Sequence, residues 1–192
     1  MNNNTVMIRI ENIGKSYDGH TVLKGFSADI SEGETVVLFG DSGAGKTTLL
    51  RLILGLEKPD AGNINISGTD FSVVFQEDRL CAYADAVDNV TMVTRTLNAE
   101  TAENELKKLM PEDRLHIPVS ELSGGEKRRV AIVRAMCHDA DAYLLDEPFT
   151  GLDEDMKQQA MEYVLEKTAG KTLVITAHEE WQYDMGRKIG IK

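Results

Sequence analysis

The chain has 192 residues, of which 42% are hydrophobic, and it carries a formal net charge of −11. This length and composition are typical of one compact domain with a substantial core. The acidic balance opposes attraction to a phosphate backbone, which requires Lys and Arg, so we expect no nucleic-acid partner. The two cysteines, Cys81 and Cys137, lack metal-ligand spacing and are too few for a disulfide framework, as expected in a reducing cytosol.

The sequence has no stretch that resembles a secretory signal or a membrane span. Residues 1–5 are polar and uncharged, and the longest apolar runs are only strand-length. A membrane-spanning helix needs roughly 20 apolar residues. We therefore expect a cytoplasmic chain that reaches a membrane only through partners.

The predicted elements alternate between strands and helices. Expected strands occupy 6–10, 22–30, Thr35–Phe39, 63–67, 71–75, Ala142–Leu145 and 172–176. Helical patterns occupy 47–56, 86–110, a basic stretch after LSGGE, and 154–169, with Asn98 as a cap ahead of residues 100–110. Strands joined by crossover helices predict a mostly parallel sheet that binds ligands at the carboxyl ends of its strands.

The segment GDSGAGKTT lies between an expected strand and an expected helix and matches the Walker A pattern. Its glycines allow backbone N–H groups to face phosphate oxygens, and the helix N-terminus adds a favourable dipole. Lys46 would neutralise the phosphates of ATP, and Thr47 would offer its hydroxyl to Mg²⁺. A glycine-rich turn that matches by chance is the alternative. The predicted ATP-binding residues here are Gly40, Asp41, Ser42, Gly43, Ala44, Gly45, Lys46, Thr47 and Thr48.

Two adjacent carboxylates end the apolar strand AYLL. Asp146 would hold Mg²⁺ through its water shell, and Glu147 would polarise the water that attacks the γ-phosphate. An acidic pair at this place is often only a helix N-cap signal. Its position after the phosphate loop favours the hydrolytic interpretation.

The sequence LSGGE resembles the signature motif of ABC ATPases, and it lies between Walker A and the acidic strand end, as in that family. Ser123 and Glu126 also fit a capping box, and the two interpretations are compatible. In the family this helix start binds the γ-phosphate held by the opposite subunit, so the resemblance implies a head-to-tail homodimer or pseudo-dimer. The signature residues are Leu122, Ser123, Gly124, Gly125 and Glu126.

The resemblance extends over residues 8–178 and implies further site residues. Tyr17 would stack on adenine, Gln76 would touch Mg²⁺ and move with a helical subdomain, and His178 would contact the γ-phosphate. Alone, each would be an ordinary strand, loop or structural residue. TGLD resembles the D-loop of the dimer interface, although Asp153 could simply cap the next helix. The D-loop residues are Gly151, Leu152 and Asp153.

The family implies an α/β P-loop core with a small antiparallel β subdomain and a helical subdomain. We place the core at 1–85 and 127–192 and the helical subdomain at 86–126 of one domain. Three features depart from the family pattern. Glu126 stands where glutamine is commoner, the stretch from Thr48 to Gln76 is short, and the residues that follow His178 fit poorly.

The sequences FQEDRL and VDNV resemble ATPases of bacterial nitrate, sulfonate or taurine importers. This implies an importer motor on the inner face of the cell membrane, with permease subunits docked near residues 76–83 and a solute-binding protein as a further partner. The alternatives are a soluble ABC ATPase without a transport role, such as one for iron–sulfur assembly, and a nucleotide-binding module without turnover. The latter would have no need for Glu147.

Overall fold

A computed structural model describes residues 5–68, 70–93, 97–178 and 184–191. The strands in chain order are β1 (Val6–Tyr17), β2 (His20–Ser31), β3 (Thr35–Phe39), β4 (Ala61–Ile66), β5 (Phe71–Val74), β6 (Ala142–Leu145), β7 (Thr172–Ala177) and β8 (Arg187–Gly190). The α-helices are α1 (Lys46–Ile53), α2 (Ala86–Thr91), α3 (Ala99–Leu106), α4 (Gly124–Met136) and α5 (Glu154–Lys167), and short 3-10 helices span Glu112–Arg114 and Val119–Glu121.

The chain forms two compact units. The first comprises Met1–Phe71, Asp141–Glu147 and Gly170–Lys192, and the second comprises Ser72–Ala140 and Pro148–Ala169. The division expected from the sequence, with a helical subdomain at 86–126 inside a core at 1–85 and 127–192, stays a prediction.

The first unit contains both kinds of sheet expected from the sequence. An antiparallel sheet has the order β2-β1-β4, and four parallel strands follow the order β6-β7-β3-β8. Every residue of β6 and β7 is buried, as expected for parallel strands covered on both faces. Strands β3, β6 and β7 run in the same direction, so the residues that follow Phe39, Leu145 and Ala177 emerge at one edge.

The core of the first unit lies between its sheets and α1. It is built from aliphatic side chains, among them Ile8, Ile30, Val36, Leu49, Leu144 and Val174, all fully buried. Helix α1 contributes Leu49, Leu50 and Ile53, whose spacing of three and four residues places them on one face. Burial of this face fixes the helix that begins with Lys46.

The second unit is mainly helical. The helical pattern predicted over residues 86–110, with a cap at Asn98, contains two helices, α2 and α3, of which α3 ends at Leu106. Asp85 and Asn98 cap them, each accepting a hydrogen bond from the backbone N–H three residues later at 2.8 Å. The cap at Asn98 confirms that a new helix begins there. Residues 94–96 of the predicted helix lie outside the described residues.

The C-terminal part of the chain contains a strand that the sequence did not indicate. Strand β8 was not predicted, and residues 179–183, in the stretch that departs from the family pattern, lie outside the described residues. Within the described ranges, no helix combines the length and the apolar composition needed to cross a bilayer.

Candidate active site

The phosphate loop connects β3 to α1 in the first unit. Gly45 precedes the helix with a φ of 98°, in the left-handed region that favours glycine. A Cβ at Gly45 would lie 2.8 Å from Val22 Cγ1 and 2.9 Å from Leu23 Cδ2 of β2. A side chain at this position would therefore force the side chains of Val22 and Leu23 to shift. The predicted strand, glycine loop and helix are all present.

Lys46 is buried within this loop. Its Nζ donates to the carbonyl oxygens of Gly40 at 2.7 Å and Asp41 at 3.0 Å. It also lies 3.5 Å from Glu147 Oε1. The ammonium group is thus held between the loop and the carboxylate that follows β6.

Asp146 and Glu147 follow β6 and are linked through Thr176 of the neighbouring strand β7. The Thr176 hydroxyl donates to Asp146 Oδ1 at 2.7 Å, and the backbone N–H of Glu147 donates to Thr176 Oγ1 at 2.8 Å. Leu145 pairs with Ile175 in the register of these strands, which brings the next residue of each strand side by side. Thr176 was not predicted, because its contact with Asp146 depends on the register of β6 and β7.

Glu147 adopts a backbone conformation that is uncommon outside glycine, with a φ of 47°. Its carboxylate contacts two cationic or potentially cationic groups, since Oε1 lies 3.5 Å from Lys46 Nζ and Oε2 lies 3.3 Å from His178 Nε2. The Glu147 side chain is 13% exposed and that of His178 is 55% exposed. Strained backbone at a residue held by several partners is typical of functional sites.

Tyr17 also belongs to the first unit and ends β1 at the β1–β2 turn, where it pairs with His20. The tyrosine is 39% exposed, and its hydroxyl donates to Glu57. Burial and the Glu57 carboxylate raise the pKa of Tyr17, while a hydrogen bond with Thr48 opposes the shift.

The signature residues begin α4 in the second unit. Ser123 caps the helix, and its Oγ accepts from the N–H of Glu126 at 3.3 Å while Glu126 Oε2 accepts from the N–H of Ser123 at 2.8 Å. The predicted capping box is therefore confirmed. A Cβ at Gly124 would meet no atom within 4 Å, so this helix start is open.

The ion pair between Arg114 and Glu126 supports the same helix start. Arg114 Nε donates to Glu126 Oε1 at 2.9 Å. The Arg114 guanidinium, together with hydrogen bonds from Ser123 and against the effect of burial, lowers the pKa of Glu126 to about 2. Glutamate at this position thus forms an ion pair with Arg114, which an uncharged glutamine could not form.

Gln76 and the D-loop residues also lie in the second unit. Arg128 of α4 is buried and donates to the carbonyl oxygens of Phe75, at 2.8 Å, and Gln76. Asp153 caps α5 by accepting from the N–H of Met156 at 2.9 Å, which confirms its structural role. A Cβ at Gly125 would lie 3.5 Å from the carbonyl oxygen of Gly151, so the signature and the D-loop are close together.

The structure thus groups the predicted residues by unit. Lys46, Glu147 and His178 meet at one strand edge of the first unit, and Asp146 is joined to them through Thr176. The signature, Gln76 and the D-loop form the second group. The functional roles predicted for both groups stay predictions.

The residues proposed for Mg²⁺ supply suitable donors. Within the described residues there is no cluster of three or more His, Cys, Asp or Glu side chains that could enclose an ion. Mg²⁺ commonly takes one or two protein oxygens and completes its shell with water and phosphate. The Thr47 hydroxyl and the Asp146 carboxylate, of which Oδ1 accepts from Thr176, fit this sparse donor set. The approach of Gln76 to the metal stays a prediction.

Comparison with known proteins gives one consistent family. The family model described as ABC transporter matches residues 23–150. The L-cystine import ATP-binding protein TcyN of Bacillus subtilis is 37% identical over 90% of this chain and 76% of its own length. The spermidine/putrescine import ATP-binding protein PotA of Mesoplasma florum is 36% identical over 94% of this chain and 56% of its own length, so the chain spans little more than half of that relative.

Further relatives and solved structures agree. The lipoprotein-releasing system ATP-binding protein LolD of Bacteroides fragilis is 36% identical over 91% of this chain and 92% of its own length. The dimeric, post-hydrolysis structure of the ATP-binding cassette MJ0796 with ADP and Pi superposes with a TM-score of 0.85 at 28% identity, covering 97% of this chain and 94% of that one. The predicted fold class is confirmed.

Proposed function

The chain belongs to the ABC transporter family, and on this premise we propose that it is the ATP-binding, ATP-hydrolysing motor subunit of a membrane transporter. One observation carries the hydrolytic part of the proposal. Glu147 lies between Lys46 of the phosphate loop and His178, with its carboxylate 3.5 Å and 3.3 Å from their nitrogens. A carboxylate held in this way can orient water next to a bound γ-phosphate.

Each residue of the first unit has a distinct proposed role. The loop from Gly40 to Thr48 binds the phosphates, and Lys46 neutralises their charge. Glu147 accepts a hydrogen bond from the attacking water, and His178 contacts the γ-phosphate. Thr47 and Asp146 would hold Mg²⁺, which when bound supplies charge neutralisation to the phosphates. Tyr17 stacks on the adenine ring.

The residues of the second unit act across a homodimer in this proposal. The start of α4 is open at Gly124. The Ser123 side chain caps this helix by accepting a hydrogen bond from the N–H of Glu126, which satisfies one of the free N–H groups of the first turn. The remaining N–H groups of this helix start favour an anion, here the γ-phosphate bound by the opposite subunit. The dimeric state of the MJ0796 cassette supports the same arrangement. The D-loop residues Gly151, Leu152 and Asp153 would cross the interface.

The direction of transport is proposed to be inward. The names of TcyN and PotA describe import, whereas LolD is named for lipoprotein release, so the relatives favour import without being uniform. Membrane permease subunits on the inner face of the cell membrane would receive the motion, and a solute-binding protein would deliver the solute. The finer similarity to nitrate, sulfonate or taurine importers rests on FQEDRL and VDNV alone and stays a prediction.

The test is the substitution Glu147→Gln, which keeps the side-chain volume but removes the carboxylate. We expect ATP turnover to fall by at least about 100-fold while the affinity for ATP changes less than about threefold, because the lost interaction belongs to the transition state. The variant should accumulate as a dimer with ATP and Mg²⁺. Phosphate release and light scattering measure the two effects.

Glu154→Gln is the matched control, because Glu154 is an exposed glutamate in the first turn of α5. Its turnover should equal that of the unmutated chain. Undiminished turnover in Glu147→Gln would refute the hydrolytic role. An unmutated chain that binds ATP but never releases phosphate would instead favour the nucleotide-binding module without turnover.

A further inference from the structure

The hydroxyl of Tyr17 is held by a carboxylate that lies 40 residues further along the chain. Tyr17 ends β1 and is followed by the turn residues Asp18 and Gly19, whose φ values are 48° and 81°. Positive φ at both turn positions is typical of a tight two-residue hairpin. The turn therefore fixes the backbone position of Tyr17, and the hydrogen bond to Glu57 fixes the position of its hydroxyl group.

Glu57 is itself attached to the helix that carries the phosphate loop. The N–H of Leu56 donates to the carbonyl oxygen of Arg51 at 2.9 Å, which closes the end of α1. Arg51 Nη1 lies 3.5 Å from Glu57 Oε1, so both carboxylate oxygens have a partner. Helix α1 thus has Lys46 at its start and the acceptor for Tyr17 just beyond its end.

A second set of contacts holds the strand on which Tyr17 lies. Lys15 Nζ donates to the carbonyl oxygen of Lys58 at 2.8 Å and to Asp60 Oδ1 at 3.2 Å, and the N–H of Ser16 donates to Asp60 Oδ2 at 2.7 Å. Lys15 Nζ also lies 5.3 Å from the centroid of the Tyr17 ring. The ring is therefore restrained at its hydroxyl and approached by a cation, yet it remains 39% exposed.

We propose that Glu57 is a positioning residue for nucleotide binding, which orients the Tyr17 ring toward the base of the nucleotide and ties it to α1. This inference rests on the proposed function, since it takes Tyr17 as the surface on which the base stacks. A ring that is already oriented loses less conformational freedom when a base stacks on it. A tyrosine hydroxyl is protonated at neutral pH and can donate to Glu57, and burial and the Glu57 carboxylate raise the pKa of Tyr17 further.

The experiment compares two ligands that share their phosphates but differ in the base. The dissociation constants of Mg²⁺-ADP and Mg²⁺-pyrophosphate are measured by calorimetry for the unmutated chain and for Glu57→Ala. We expect the Kd for ADP to rise about fivefold, in the range of one aromatic contact, and the Kd for pyrophosphate to change less than about twofold. If the role of Glu57 is only structural, Glu57→Ala should lower the affinity for both ligands equally.

Further variants make the result independent of a folding defect in Glu57→Ala. Glu57→Gln retains an oxygen acceptor for the tyrosine hydroxyl and should restore most of the ADP affinity. Tyr17→Phe retains the ring and removes the donor, so it should match Glu57→Ala, and the double variant should be no weaker than either single one. Additive losses in the double variant would overturn the proposal.

Tyr17→Ala separates this inference from the proposed function. If Tyr17→Ala weakens ADP selectively but Glu57→Ala leaves both ligands unchanged, Tyr17 contacts the base and the role of Glu57 is refuted. If Tyr17→Ala also leaves the ratio of the two affinities unchanged, the base contact itself is wrong, and the inference is refuted with it. The hydrolytic role of Glu147 would stand in either case.

Discussion

Thr176 connects the two acidic residues that were predicted to act separately. Its hydroxyl donates to Asp146 Oδ1 and accepts from the N–H of Glu147, whose φ of 47° requires that its backbone be held by specific contacts. The orientation of the Glu147 carboxylate toward Lys46 and His178 therefore depends on Thr176. No described hydrogen bond joins the Thr176 side chain to either of those two residues.

Thr176→Val tests this dependence. We expect turnover to fall about 10- to 100-fold with an ATP affinity within about threefold of the original, because the buried N–H and carboxylate oxygen lose a partner and Glu147 loses its fixed position. The free energy of unfolding should fall by about 1–3 kcal/mol, the cost of unpaired buried polar groups. Steady-state kinetics and urea unfolding measure the two quantities.

Thr172→Val is the control for this effect. Thr172 begins the same strand, is equally buried, and its hydroxyl accepts from the N–H of Gly33 at 3.0 Å. It should lower stability by a similar amount but leave turnover unchanged. Equal losses of turnover in the two variants would mean that general destabilisation, rather than the position of Glu147, explains the result.

At the scale of single elements, the start of α4 depends on the charge of Glu126. Because the folded state lowers the pKa of Glu126 from 4.5 to about 2, the carboxylate stabilises the fold above pH 4.5, and this contribution is lost as the pH falls toward 2. Glu126→Gln should therefore lower the free energy of unfolding by about 1–2 kcal/mol at pH 7, a value reduced by the solvent exposure of Arg114.

The difference between Glu126→Gln and the unmutated chain should shrink when urea unfolding is repeated at pH 3, because Glu126 is then protonated in the unfolded state. Glu100→Gln provides the comparison, since Glu100 is an exposed glutamate in the first turn of α3. A destabilisation by Glu126→Gln that stays constant from pH 7 to pH 3 would contradict the role of the charge.

Elements encoded by neighbouring residues were predictable from the sequence, and contacts between distant segments were not. The strand, glycine loop and helix from Thr35 to Ile53, and the caps at Asn98 and Ser123, follow from patterns within a few residues. The contact of Thr176 with Asp146 depends on the register of β6 and β7. The contact of Tyr17 with Glu57 depends on two segments that are 40 residues apart.

The failure to predict strand β8 has a physical explanation. Strand β8 is only four residues long and begins Arg187-Lys188, so no apolar run marked it. Arg187 donates to Glu34 and to the carbonyl oxygen of Asp29, which are distant in sequence. Such contacts are invisible to a local pattern.

For the whole molecule, the net charge of −11 decides how the chain can reach a membrane. Anionic lipids repel an acidic protein over distances of about 8 Å at physiological ionic strength. We therefore expect the purified chain not to sediment with vesicles of phosphatidylglycerol and phosphatidylethanolamine. The proposed location at the inner face of the membrane would then depend on a protein contact.

The residues that follow Gln76 are the proposed surface for that contact, and Tyr83 among them is 95% exposed. Large exposed aromatic side chains are common anchors at protein interfaces, so a charge at this position should disrupt docking.

The experiment uses cells that contain the partner permease. We expect the unmutated chain to sediment with membranes and to be released by alkaline carbonate, and we expect Tyr83→Glu to move mainly to the supernatant. Leu165→Glu, which adds the same charge to an exposed apolar position of α5, should stay with the membranes. An unmutated chain found only in the supernatant would refute the transport role and favour a non-transport ATPase such as one for iron–sulfur assembly, because that activity needs no contact with a membrane.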